Sequence, residues 1–382
     1  MNREQDRGEK AFSLKNKTAP GGGPPETGLP DRLAGALRPG LAFSGETLGI
    51  PLFSLLVLAA LASILSKTPG STLFFFFAGP FRNLYSFGNM LNSAVPLILG
   101  ALGVSVAMKA GSLNLGGEGQ IYGGAFAATI AALSLEGLGP AGGLIALTAG
   151  AFFAGTAAAL SGFCKARWNT SELITSFLLS NALLLIVNYL VNGPFLDPET
   201  SLQSTRKIAA SLRLPLILPP SNLSAALFAA LAAVIAVQIF LAKTKRGYEL
   251  RMAGANEIFA RYGGINTKVN TVLAMFLSGA FYGLAGGLAV FGTYYGTVKE
   301  FSSGMGWNSL AVALVARFYP PAVIPASVFF AWITSGARIA MQNSDITFEV
   351  ASIAQSVIFF LATSMSLRGL FRRGRPGKRE GR

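Results

Sequence analysis

KTKRGYELRMAGANEIFARYGGIN, residues 243–266, is a polar segment set between two apolar runs, 223–242 and 269–294, each long enough to cross a bilayer. Its Lys243, Lys245, Arg246, Arg251 and Arg261 outnumber Glu249 and Glu257. A loop with that excess of Lys and Arg stays on the cytoplasmic side of a membrane. From Glu249 to Tyr262 the charges are interrupted by Leu250, Met252, Ile258, Phe259 and Ala260, with no proline. That mixture suits a short amphipathic helix that lies along a membrane or docks into a protein groove. Gly254, Gly263 and Gly264 mark turns or helix ends. Many such loops only connect their neighbours; the apolar interruptions make this one a docking surface.

Outward from the loop, the 382 residues are 52% hydrophobic and 13% charged, with Gly 45 and Phe 29. Apolar runs recur at about 20 residues, the length that crosses roughly 30 Å of hydrocarbon. Ten crossings are expected: 48–65, 90–108, 113–135, 141–163, 173–191, 223–242, 269–294, 307–318, 322–341 and 350–365, the eighth too short to span alone. The strict ten-residue alternation of barrel strands is missing from these runs. The fold class is therefore an all-α membrane protein with about ten transmembrane helices, some short or broken, and a cytoplasmic coupling helix. Residues 1–46 read as a disordered cytoplasmic tail, 47–367 as the transmembrane domain and 368–382 as a basic cytoplasmic tail beside anionic lipid. With both termini inside, 24 of the 31 Lys and Arg fall on the cytoplasmic face.

His is absent and Cys164 is the only cysteine, which excludes a disulfide framework, most zinc, haem and iron–sulfur sites, and Ser/His or Cys/His nucleophile pairs. The net charge of +14 flanks apolar runs, so it signals topology rather than nucleic acid. The phosphate-binding string G-x-x-x-x-G-K-[ST] does not occur, so ATP and its Mg²⁺ would belong to another chain.

Three stretches break the apolar pattern. In SLNLGGEGQ, residues 112–120, glycines interrupt the helix where Asn114, Glu118 and Gln120 would meet lipid. Such backbone is tolerated only inside protein or along a cavity, and an intramembrane acid is a functional candidate. Glu118 has two readings, a pathway group or a brace for a helix junction through Lys109. Gly279, Gly283 and Gly287, and likewise Gly150, Ala154, Ala158 and Gly162, make smooth ridges for close helix contact. FGTYYGTVKEFSSGMGWN, residues 291–308, leads into the short eighth span with Trp307 and Asn308 at its start. Two broken helices facing each other are the usual construction of a midplane transport site.

The strings LNLGGEGQ, NTSELITSFLLSNALLLIVNYLVNGP, GYELRMAGANEIFARYGGIN, LSGAFYGLAGGLAVFGT and GMGWNSLAVALVA, together spanning about 89–365, resemble permease subunits of binding-protein-dependent ABC importers. The branch is the one for simple sugars, nucleosides and branched-chain amino acids, and the likeness is greatest to nucleoside-type permeases. The resemblance implies a bacterial cytoplasmic-membrane protein with three partners: an ATP-binding cassette subunit, a second permease chain and an extracytoplasmic lipoprotein receptor. It also implies that Arg251, Gly254, Asn256, Ala260, Tyr262, Gly264 and Ile265 carry the coupling contact. The chain departs from the family at Phe259 and Gly263, where alanine is usual. The expected cargo is a nucleoside, met by Asn114, Gln120, Trp307 and Asn308 with or without Glu118; a simple sugar and riboflavin are the alternatives. An ion-coupled secondary transporter is the rival reading, weakened because only Glu118 and Glu172 lie near a span.

Overall fold

In a computed structural model, residues 66–345 are described, 303 excepted, with isolated positions at 56, 60, 347, 353, 356 and 357. The expected first and tenth spans and both tails lie outside the described residues. The rest is helical: α1 Pro69–Ala78, α2 Leu84–Lys109, α3 Gly117–Ser134, α4 Gly139–Trp168, α5 Glu172–Asn192, α6 Ala226–Lys243, α7 Lys245–Ala255, α8 Glu257–Tyr262, α9 Thr267–Ala289, α10 Met305–Val315 and α11 Pro320–Asn343. Among the described residues, β pairing is limited to three isolated bridges.

Of the ten expected crossings, the first and tenth fall outside the described residues. Among the described residues, six helical stretches are long and apolar enough to span: Leu84–Lys109, Glu136–Trp168, Glu172–Asn192, Ala226–Lys243, Thr267–Tyr294 and Pro320–Asn343. The expected third span, 113–135, begins as helix only at Gly117, because residues 112–116 are unwound. The short eighth span is α10, with 11 residues. Helix α1, PGSTLFFFFA, is too short to signal a crossing, at about 1.5 Å of rise per residue. It packs instead on α11, where Trp332 Nε1 donates to Phe77 O at 3.1 Å.

The centre is built where α3, α4 and α9 converge on small residues. A Cβ on Gly283 would lie 2.5 Å from Gly150 O, and one on Gly124 would lie 2.5 Å from the Gly283 Cα. Gly279 faces Ala154 and Ala158, and Gly162 faces Met275. With no hydrophobic drive inside lipid, such backbone approach supplies the van der Waals contact that holds helices together. Gly287 departs from this ridge, since it faces Leu147 and Ala128 side chains rather than backbone. The outward faces of α4, α5 and α6 carry exposed Phe152, Leu185, Tyr189, Phe228 and Ile235, the surface expected against lipid or another membrane chain.

Candidate functional site: two broken helices and a vestibule

The first break follows α2. Gly111 takes φ +73°, the left-handed region that costs glycine least, and the chain runs without regular structure to Gly116. Its freed backbone groups find side chains. Leu115 N donates to Ser176 Oγ at 3.1 Å, and Gly116 N donates to Asn114 Oδ1 at 2.9 Å. Gly119 N, in the first turn of α3, donates to Ser180 Oγ at 2.8 Å. Asn114 and Gln120 form a closed amide pair: Asn114 Nδ2 donates to Gln120 Oε1 at 2.7 Å, and Gln120 Nε2 donates back to Asn114 Oδ1 at 3.1 Å. Both are buried, and Asn114 also donates to Ser278 Oγ on α9. Lys165 Nζ closes the loop end of the break, pairing with Glu172 at 2.6 Å and donating to Gly111 O at 3.3 Å.

The second break ends α9. Residues 290–294 form a π turn, and Tyr295 adopts φ 60°. Segment 295–298 then pairs with the 193–225 loop: Ile208 N donates to Tyr295 O at 2.8 Å, and Thr205 N to Thr297 O at 3.0 Å. Gly304, at φ +82°, turns the chain into α10.

The two breaks meet. Gly306 lies so close to Gly117 that a Cβ on Gly117 would stand 2.9 Å from the Gly306 Cα. Glu118 Oε1 accepts from Gly306 N at 3.0 Å and Trp307 N at 3.3 Å, satisfying two of the orphan donors at the start of α10. Neither Glu118 nor Lys109 enters an ion pair among the described residues, so the expected Lys109 brace is replaced by a helix-terminus brace. A carboxylate suits that position because the helix dipole presents partial positive charge there.

One turn into α10 the character changes from closed to open. Asn308 lines a cavity of about 400 Å³ at the end of the molecule opposite the 243–266 loop. Its other polar walls include Asn89 and Asn92 of α2, Thr293, and Arg338 and Gln342 of α11, with Tyr85, Tyr294 and Phe301 supplying rings. Thus Asn308 reaches the vestibule while Asn114, Gln120 and Glu118 lie in the closed junction beneath it. Trp307 is half exposed and stacks obliquely on Phe177, with ring centroids 6.3 Å apart. Sequence reasoning passed over Asn89, Asn92 and Thr293; a run of asparagines spaced three apart near the start of an apolar helix was the available signal.

At the loop end, the expected single coupling helix is two. Thr244 caps α7 by accepting from Gly247 N, and Asn256 ends α7 and caps α8 by accepting from Phe259 N at 3.0 Å. Arg251 is exposed. Ala260 is buried and faces inward, with its carbonyl accepting from Ile265 N at 3.0 Å; Gly264 turns the chain at φ +78°. Gly254 abuts backbone: a Cβ there would lie 2.7 Å from Gly111 N. The exposed apolar surface is Ile258, Phe259 and Tyr262, at 68%, 62% and 89% exposure.

Broken helices meeting at depth, a polar vestibule at one end and an amphipathic helix pair at the other define a membrane transport subunit. A family model described as "Branched-chain amino acid transport system / permease component" matches residues 86–363, and the chain belongs to that permease family. It is 33% identical over 317 residues to the probable riboflavin import permease protein RfuC of Treponema pallidum (strain Nichols), covering 82% of this chain and 83% of that one. It is 31% identical over 297 residues to the guanosine ABC transporter permease protein NupP of Bacillus subtilis (strain 168), covering 76% and 84%. A third relative, the glucose ABC transporter permease protein TsgB13 of Haloferax volcanii, is 30% identical over 335 residues, covering 83% and 87%. The chain is a multi-pass permease subunit of an ABC importer.

Proposed function

We propose that this permease carries a nucleoside across a bacterial cytoplasmic membrane, with the 243–266 loop and both termini inside. The vestibule carries the reading: its asparagine amides and hydroxyls suit ribose and base edges, its rings can stack on a base, and about 400 Å³ falls within the range of small-molecule sites. Asn308 contacts cargo, and Asn114, Gln120 and Glu118 hold the floor beneath it. Similarity to guanosine permease NupP supports the same cargo class. Riboflavin is the second reading, favoured by the identity to RfuC and served by the same rings and amides.

The power comes from outside this chain. ATP and Mg²⁺ belong to a partner ATPase subunit, whose groove receives Ile258, Phe259 and Tyr262 of α8, with Arg251 of α7 at its edge. A second permease chain completes the path, and a lipoprotein receptor delivers cargo to the vestibule end. The test is uptake by the complete reconstituted system, with labelled guanosine, ribose and riboflavin in competition. Guanosine is expected to enter and to outcompete ribose. Riboflavin uptake that guanosine neither follows nor inhibits would move the assignment to the second reading.

A further inference from the structure

We propose that Arg338 selects the cargo, and that it selects a planar ring bearing two adjacent hydrogen-bond acceptors, as on a 6-oxopurine nucleoside. The inference rests on the nucleoside reading and narrows it. Arg338 stands on α11 and is the only charged residue among the described residues lining the vestibule. It is exposed; among the described residues its guanidinium enters no ion pair or hydrogen bond, and its charge acts on the neighbouring Tyr294. Two further arginines at this end, Arg82 and Arg213, are engaged. Arg82 stacks 5.2 Å from the Phe75 ring centroid, while Arg213 lies 4.6 Å over Tyr295 and donates to Ile208 O. A guanidinium fork left open to a cavity is a recognition group in search of acceptors, since it can donate and never accept.

The walls around it fix what kind of acceptor. Asn89 Oδ1 is committed to Asn222 N at 3.0 Å, and Asn92 Nδ2 to Thr293 Oγ1 at 2.9 Å. Tyr294 and Phe301 stand together with centroids 5.0 Å apart, which offers a planar ring an aromatic neighbour. A phosphate would normally meet more than one cation, and here there is one. A guanidinium reaches a 6-oxopurine through O6 and N7 together, whereas adenine presents N7 beside an N–H₂ donor and repels half of the fork. Lysine cannot substitute, because it is a point charge without the planar pair of donors.

The test uses the complete transporter in proteoliposomes, with receptor in excess, as wild type, R338Q and R338K. Entry of guanosine, inosine and adenosine is compared across variants, so each nucleoside is its own control for receptor preference. R338Q is expected to slow guanosine and inosine by about tenfold, the factor that one bidentate pair commands, and adenosine by less than about twofold. R338K is expected not to restore the two oxopurines. A second arm titrates the detergent-solubilised complex, without receptor, with guanosine and adenosine; the wild type is expected to favour guanosine and R338Q to lose that preference. Equal slowing of all three nucleosides, no slowing of any, or rescue by lysine overturns the inference while leaving nucleoside import standing. A wild-type complex that carries no nucleoside overturns both. Size-exclusion chromatography of each variant with its partners separates loss of selectivity from loss of assembly.

Discussion

At the scale of single residues, the amide pair Asn114–Gln120 and the carboxylate Glu118 show why polar residues in an apolar chain are ambiguous on paper. Each has the chemistry of a cargo contact, yet the backbone around residues 112–119 needs those same groups because water is not there to satisfy it. Only the pairing distances separate the two uses. Asn114→Leu should therefore lower the thermal stability of the purified protein by roughly 1–3 kcal/mol, the usual cost of leaving buried partners unsatisfied. Glu118 gives a sharper comparison. Both backbone donors share Oε1, so Glu118→Gln keeps an acceptor and should retain most uptake, while Glu118→Ala should destabilise the start of α10. An ion-coupled transporter relying on this acid would lose uptake with Gln as completely as with Ala, and proteoliposome uptake distinguishes the cases.

At the scale of elements, apolar run length located the spans of 18 residues or more, since a long apolar run has few alternative structures. Helix α1 escaped because its ten residues match a loop as well as a helix, and it gains its place by packing on α11, with Phe76 against Ile333, Ala337 and Ala340 and Phe77 O accepting from Trp332. The loop 243–266 was legible as amphipathic; of its apolar residues, Leu250 and Ala260 are buried, while Ile258, Phe259 and Tyr262 are exposed. Which face of a short helix is exposed depends on the cap at Asn256, and composition does not encode that angle. Phe259→Ala combined with Tyr262→Ala should weaken ATPase binding by about tenfold or more, as loss of two exposed aromatic anchors does, with unchanged thermal stability. Gly254→Leu should behave differently, loosening the loop's own seat on Gly111, because its Cβ would meet backbone. Beyond α11, Asp345 accepts from Ser66 Oγ at 2.6 Å and Thr68 Oγ1 at 2.9 Å, and these bonds hold its carboxyl down at about pH 2. A depressed carboxylate contributes fully above its ordinary value of 3.8 and loses its contribution as pH falls toward 2. Protection factors at residues 67–72, each exchange rate being divided by its intrinsic rate at that pH, should accordingly fall between about pH 4 and 2 in the wild type, and be already low and constant there in Asp345→Asn.

At the scale of the whole molecule, the architecture offers one α7–α8 pair, whereas an ABC importer built on two ATPase sites needs two. The active complex should therefore contain two permease chains, this one twice or with a related partner, and native mass spectrometry of the transporting complex should find both. The general plan, helices with two interruptions and a basic inner loop, could be read from hydropathy and charge. The vestibule could not, since its walls come from α2, α9, α10 and α11, and only the packing of α2 against the other three brings them around one space. The seat of Gly254 on Gly111 has a mechanical reach beyond the loop. Gly111 begins the unwound segment that ends at Gly116; Gly117, the first residue of α3, abuts Gly306, and Asn308 stands two residues on at the cavity. Both meetings are of backbone on backbone, with the Tyr282 ring and the Glu118 carboxylate packed at the second. They line up as a drive shaft: a tilt imposed at the loop end should be felt at the cavity end, with glycines setting its stroke.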